Sequence, residues 1–75
     1  MKLDKILKDS FNVDGSQVND ETRLINFAEW DSMTHMFFIT KLEEEYSIEV
    51  SGEEIARMQT IGDIKKIIIS KGKEI

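Results

Sequence analysis

The chain contains no cysteine and a single histidine. Without cysteine there is no disulfide framework and no zinc site built on thiolates, and one histidine cannot assemble a multi-histidine metal centre. Any thiol that the protein uses must be supplied from outside the chain. Long apolar runs are missing too: nothing approaches the roughly 20 residues of a membrane span, and Met1-Lys2-Leu3-Asp4-Lys5 puts charges where a signal peptide needs an apolar core. A soluble cytoplasmic protein is expected. Positive charge is the scarcer sign, 10 Lys and Arg against 15 Asp and Glu for a formal net charge of −5. That balance argues against nucleic acid or an anionic membrane and favours a basic protein partner. Seventy-five residues make one small domain, residues 1–75, near the lower size limit for a single core and too small for a large catalytic cleft.

What is present is helical periodicity. Leu3, Ile6, Leu7 and Phe11 fall on one face of a first helix ending near Asn12, with Lys2, Lys5 and Lys8 turned elsewhere. Residues 12–31 hold Gly15, Ser16, three Asn and scattered apolar residues without a sustained period. They are expected to form a long loop pinned to the core by Leu24 and Phe27, and a loop of that length in a small domain is usually functional. From Ser32 to about Tyr46 there is no Gly or Pro, and good helix formers dominate, which predicts the longest helix, roughly 22 Å. Ser51 and Glu54 fit a capping box, with Val50 and Ile55 placed as a hydrophobic staple, for a short third helix over about Gly52–Met58. Thr60 caps a fourth helix whose Ile61, Ile64 and Ile68 share a face, and Lys71 and Gly72 mark its end. The expected fold is all-α, a small four-helix bundle of three main helices and a short third one, with the long loop between helices 1 and 2.

The second helix carries two stripes. Phe38, Ile39, Leu42 and Tyr46 fall together and face the core. Met33, Met36, Phe37 and Thr40 make a second, mostly apolar stripe that a single helix in a small bundle rarely buries. With Glu43, Glu44 and Glu45 one to two turns on, this stripe has the composition of a partner-docking face; the ordinary alternative is that the long loop folds over it.

Ser32 and His35 lie one turn apart, which raises a serine nucleophile with its base. Both sit on one helix, with no third orienting group and no cleft, so catalysis is not expected and His35 reads as a histidine at the core edge, hydrogen-bonded to the loop. Asp31 or Ser32 has an ordinary role as helix cap. The same helix start has free amides and the positive end of the dipole, which stabilise an anion.

Asp31-Ser32-Met33, followed by a helix ending Leu42-Glu43-Glu44-Glu45-Tyr46, resembles the acyl carrier proteins, whose signature is Asp-Ser-Leu; Met33 for Leu is a volume-conserving swap. Ile48-Glu49-Val50, Glu53-Glu54-Ile55 and Thr60-Ile61-Gly62-Asp63-Ile64 are similar to the family's later loop, short helix and last helix, without a gap. The resemblance implies that Ser32 carries 4′-phosphopantetheine, transferred from coenzyme A by a separate phosphopantetheinyl transferase, with Asp31 as the adjacent supporting residue. It implies a carrier of thioester-bound acyl groups, not an enzyme, working as a monomer with acyl-loading and acyl-processing enzymes. Met33, Met36, Phe37, Glu43 and Glu44 are then the expected docking residues, and Phe38, Ile39, Leu42, Tyr46, Ile55 and Ile64 the interior. Thr34 and Phe37 stand where housekeeping fatty-acid carriers usually have acidic residues, and Trp30 replaces a small one, which suggests the partner set of a specialised pathway. An aminoacyl or peptidyl carrier loaded by an adenylating ligase, and an unmodified module that binds another helix, are the alternatives.

Overall fold

Apolar spacing in each segment is converted into one shared core. In the computed structural model, which describes residues 2–75, Leu3, Ile6, Leu7 and Phe11 line the buried face of α1 (Lys2–Phe11). Phe38, Ile39, Leu42 and Tyr46 line that of α2 (Ser32–Tyr46), against which α1 packs. Below them lie the short α3 (Gly52–Arg57) and α4 (Ile61–Ser70), the latter contributing Ile61, Ile64 and Ile68. The described residues measure 29 × 23 × 21 Å and include no β-strand. The expected four-helix, all-α architecture is the one found.

Aromatic rings fill the centre. Phe38 is fully buried, and its ring centroid lies 5.3 Å from that of Phe11, which lies 5.3 Å from that of Phe27 in the loop. Such tilted pairs add to the stabilisation from burial alone. At the far end of α2 the Tyr46 hydroxyl donates to the Ile75 carbonyl at 3.0 Å, which gives the buried phenol its polar partner and draws the last residues onto the bundle.

The helix ends follow their sequence signals. Ser51 accepts the Glu54 amide while Glu54 accepts the Ser51 amide, and Thr60 and Asp63 repeat the reciprocal pair at α4. Helix α1 stops one residue before the expected end, because Asn12 adopts a left-handed backbone with φ 56°. Helix α3 likewise closes at Arg57 with Met58 as its cap. Met58 is buried and belongs to the core, so its side chain serves packing instead of helix length.

The long connection between α1 and α2 is more ordered than its sequence indicates. It contains two single 3₁₀ turns, Gly15–Gln17 and Leu24–Asn26, and it is tied to the α3–α4 junction. Leu24 donates its amide to Gln59, Ile61 to Thr22, and Gly62 to Asp20 at 2.8 Å, while Lys65 pairs with Asp20 at 2.7 Å. Gly62 permits this close approach: a Cβ would meet the Asp20 carbonyl oxygen at 3.0 Å, tight enough that the loop would have to shift by a few tenths of an ångström. Leu24 is buried and Phe27 half-buried, which are the two anchors expected of the loop. These ties hold the loop from below and deliver residues 27–31 to the start of α2.

Candidate functional site

The start of α2 is fixed by a set of short hydrogen bonds around one exposed serine. Asp31 is the N-cap: its Oδ1 accepts the Thr34 amide at 2.8 Å, and the Thr34 hydroxyl accepts the Asp31 amide at 2.8 Å. The same hydroxyl donates to the Glu29 carbonyl at 3.0 Å, which clamps the loop to the first turn. The Thr34 amide holds the Asp31 carboxyl below the usual range against an opposing effect of desolvation, with lesser help from the Thr34 hydroxyl and the Met33 amide. Asp31 is therefore an anion that belongs to the cap.

Because Asp31 does the capping, Ser32 does not. It occupies the first helical position, exposed to solvent and outside the capping bonds. The positive end of the dipole of the fifteen-residue α2 lies at that position, where a phosphate is electrostatically favoured. An exposed hydroxyl with a rigid backbone beneath it and room above it fits a phosphodiester-linked arm.

The second stripe of α2 is exposed as its periodicity indicates. Met33 retains 83% of its accessible surface, Met36 50% and Phe37 46%, and Thr40 is exposed beside them. Phe38, the next residue along, retains 0%. The loop does not cover this stripe. The Lys41 ammonium lies 5.7 Å from the Phe37 ring centroid, a cation over an aromatic face. No carboxylate occurs between Ser32 and Leu42, so the patch is apolar with one positive charge at its edge.

The two glutamates expected beside the stripe part company. Glu44 is exposed, whereas Glu43 is half-buried and its Oε2 accepts the Val50 amide at 3.0 Å, a bond that secures the α2–α3 loop. Ile55, expected in the interior, is only partly buried.

His35 sits at the core edge, one turn beyond Asp31. Its Nδ1 accepts a hydrogen bond from Trp30 Nε1 at 3.2 Å, and the two rings meet edge to face with centroids 6.0 Å apart. Burial holds the imidazole below its ordinary pKa. The imidazole is therefore joined to Trp30 and not to Ser32. Sequence reasoning anticipated a bond from His35 to the loop but not its partner, and it missed Thr34, which stands where a capping box usually shows Glu or Gln. The cleft of about 290 Å³ between α3 and α4, lined by Glu54, Arg57, Asp63, Lys66, Ile67 and Ser70, includes none of the candidate residues.

Residues 2–68 match the family model described as "Phosphopantetheine attachment site". Three acyl carrier proteins are each 30% identical to the chain. That of Lactobacillus acidophilus aligns over 69 residues, 92% of this chain and 86% of the relative. The acyl carrier protein MbtL of Mycolicibacterium paratuberculosis aligns over 92% of this chain and 78% of its own length, and that of Thermotoga maritima over 93% and 86%. The chain thus belongs to the acyl carrier proteins, whose 4′-phosphopantetheine arm supplies a terminal thiol that holds acyl groups as thioesters. That thiol is the one the cysteine-free sequence lacks.

Proposed function

We propose that Ser32 is the residue to which 4′-phosphopantetheine is attached, and that the chain presents the acyl groups on that arm to separate enzymes without catalysing a reaction itself. The observation that carries this reading is the exposed Ser32 hydroxyl at the first position of α2, inside a chain of the phosphopantetheine-attachment family. Asp31 supports the site by fixing the turn and by keeping a negative charge beside it.

Partner enzymes read the stripe that starts at Met33. Burying Met33, Met36 and Phe37 against an apolar surface releases water from side chains that stay exposed in the free protein, at about 25 cal/mol per Å². Glu44 adds a rim charge. Glu43, engaged with Val50, acts by holding the end of α2 and contributes less to direct contact. The partners are a phosphopantetheinyl transferase, a loading enzyme and acyl-processing enzymes of a specialised pathway; the carrier works in the cytoplasm as a monomer, with residues 1–75 as one domain.

The absence of carboxylates from Ser32 to Leu42, with Phe37 exposed at the centre, favours as a second reading an aminoacyl cargo loaded by an adenylating ligase. Loading assays on the phosphopantetheine-bearing form, with amino acids plus ligase in one arm and acyl donors plus acyltransferase in the other, separate the two. Charging in the first arm alone would replace the acyl reading.

A further inference from the structure

We propose that Trp30 and His35 are positioning residues for Ser32: their hydrogen bond locks the last residue before the attachment motif onto the first turn of α2, and protonation of His35 unlocks it. The inference rests on Ser32 being the attachment residue and adds to it a device that sets how firmly that serine is presented.

The geometry allows one protonation state. An indole Nε1 can only donate, so the Trp30–His35 bond at 3.2 Å requires an unprotonated Nδ1, with the imidazole proton on Nε2. A second proton on the ring would go to Nδ1 and set two donors facing each other. The edge-to-face ring contact at 6.0 Å and 70° depends on the same placement. Backbone bonds continue the join on both sides: the Trp30 amide donates to the Phe27 carbonyl at 3.0 Å and the His35 amide to the Asp31 carbonyl at 2.9 Å. Ser32 lies inside this closed loop of contacts, two residues after Trp30 and three before His35.

Charged neighbours do not stabilise the imidazolium. The closest carboxylates along the chain are Asp31, which accepts the Thr34 amide, and Glu29, which is exposed, and Lys41 lies over the Phe37 ring. Burial is the one influence that moves His35, and it favours the neutral ring. The join is therefore closed at neutral pH and opens on acidification, within the window in which histidine alone among ordinary side chains changes charge. When it opens, the Asp31–Thr34 pair still caps α2, so the helix persists while the loop end and the indole gain freedom.

Trp30 is the sole tryptophan and His35 the sole histidine of the chain, so each gives a single assignable signal. The test follows Trp30 fluorescence and the His35 ring proton resonances of the wild-type protein from about pH 8 to about pH 5. The expected result is a shift of the emission to longer wavelength whose midpoint coincides with the His35 titration. In His35→Gln, which keeps an acceptor but takes up no proton, the emission stays constant. Flat emission in the wild type while His35 titrates, or an equal shift in His35→Gln, overturns the proposal.

A second readout is the initial rate at which a broad-specificity transferase adds phosphopantetheine from coenzyme A. Taken as wild type over His35→Gln at each pH, it cancels the pH dependence of the transferase. The ratio is expected to fall about 2- to 10-fold towards the acid end, the equilibrium weight of one neutral hydrogen bond. A constant ratio overturns the positioning role. If neither protein is loaded at any pH although fluorescence follows His35, the attachment reading itself fails and the positioning role goes with it.

Discussion

Asp31 and Thr34 cap each other. The carboxylate takes the Thr34 amide and the Thr34 hydroxyl takes the Asp31 amide, both at 2.8 Å, and the residue between cap and first turn that neither bond uses is Ser32. This division of labour leaves Ser32 exposed on a fixed first turn. The serine needs no hydrogen bond of its own to be held in place, and a substituent on its oxygen breaks none.

Removing one side of that pair weakens the base. Thr34→Ala loses the acceptor for Asp31 and the donor to Glu29, and is expected to cost about 1 kcal/mol, or about 4–8 °C in Tm for a domain of this size. Asp31→Asn keeps a capping oxygen but loses the charge, and is expected to melt less far below the wild type than Thr34→Ala while slowing phosphopantetheine transfer. Calorimetry and intact mass followed over time on both variants check this; an unchanged Tm in Thr34→Ala, or transfer to Asp31→Asn at the wild-type rate, would contradict it.

Neighbouring phenylalanines on α2 have opposite exposures. Phe38→Ala removes a fully buried ring packed on Phe11 and is expected to cost about 3–5 kcal/mol, a large part of the roughly 4–11 kcal/mol available to 75 residues. Phe37→Ala, at an exposed position, is expected to stay within about 0.5 kcal/mol of wild type and instead to raise the KM of partner enzymes for the carrier. Urea unfolding paired with transferase kinetics separates the two effects.

Acid should lower the stability of the protein over two pH ranges. His35 has a folded pKa below its ordinary 6.5, so the unfolded chain takes up its proton first; stability falls as pH drops through about 6.5 and levels off below the folded value. Asp31, Glu54 and Asp63 are held low chiefly by the amides of Thr34, Ser51 and Thr60, so their contribution is present above about pH 4–4.5 and is lost as pH falls through their folded values. Tm measured against pH is expected to lose only the upper stage in His35→Gln and part of the lower one in Asp63→Asn.

Ser10 is the buried polar side chain of α1 whose hydroxyl has no hydrogen-bond partner. Ser10→Ala removes that unpaired group and introduces a better helix former, and is expected to raise stability by about 1 kcal/mol. A lower Tm in this variant would mean that the hydroxyl has a partner in solution.

The parts of the fold that could be read from the sequence are those fixed by neighbours along the chain. The limits of α2, the Ser51–Glu54 box, the Thr60 cap and the split between the Phe38 and Phe37 stripes all depend on spacings of three or four residues. The loop from 12 to 31 was hidden because its order comes from distant partners: Asp20 meets Gly62 and Lys65, and Leu24 meets Gln59. At the candidate site, Ser32 is proposed from its motif and its place at the start of α2, while the exposure of Met33, Met36 and Phe37 was legible through their period. The engagement of Glu43 with Val50 and of Trp30 with His35 was not, since rotamers and the path of a loop decide which polar groups meet.

The most direct measurement is the intact mass of the apo-protein before and after incubation with coenzyme A and a broad-specificity phosphopantetheinyl transferase, with Ser32→Ala alongside. The wild type should gain a single phosphopantetheine, located by fragmentation on the peptide that contains Asp31-Ser32-Met33, and Ser32→Ala should gain none. An unmodified wild type, or equal modification of Ser32→Ala, would contradict the assignment of Ser32.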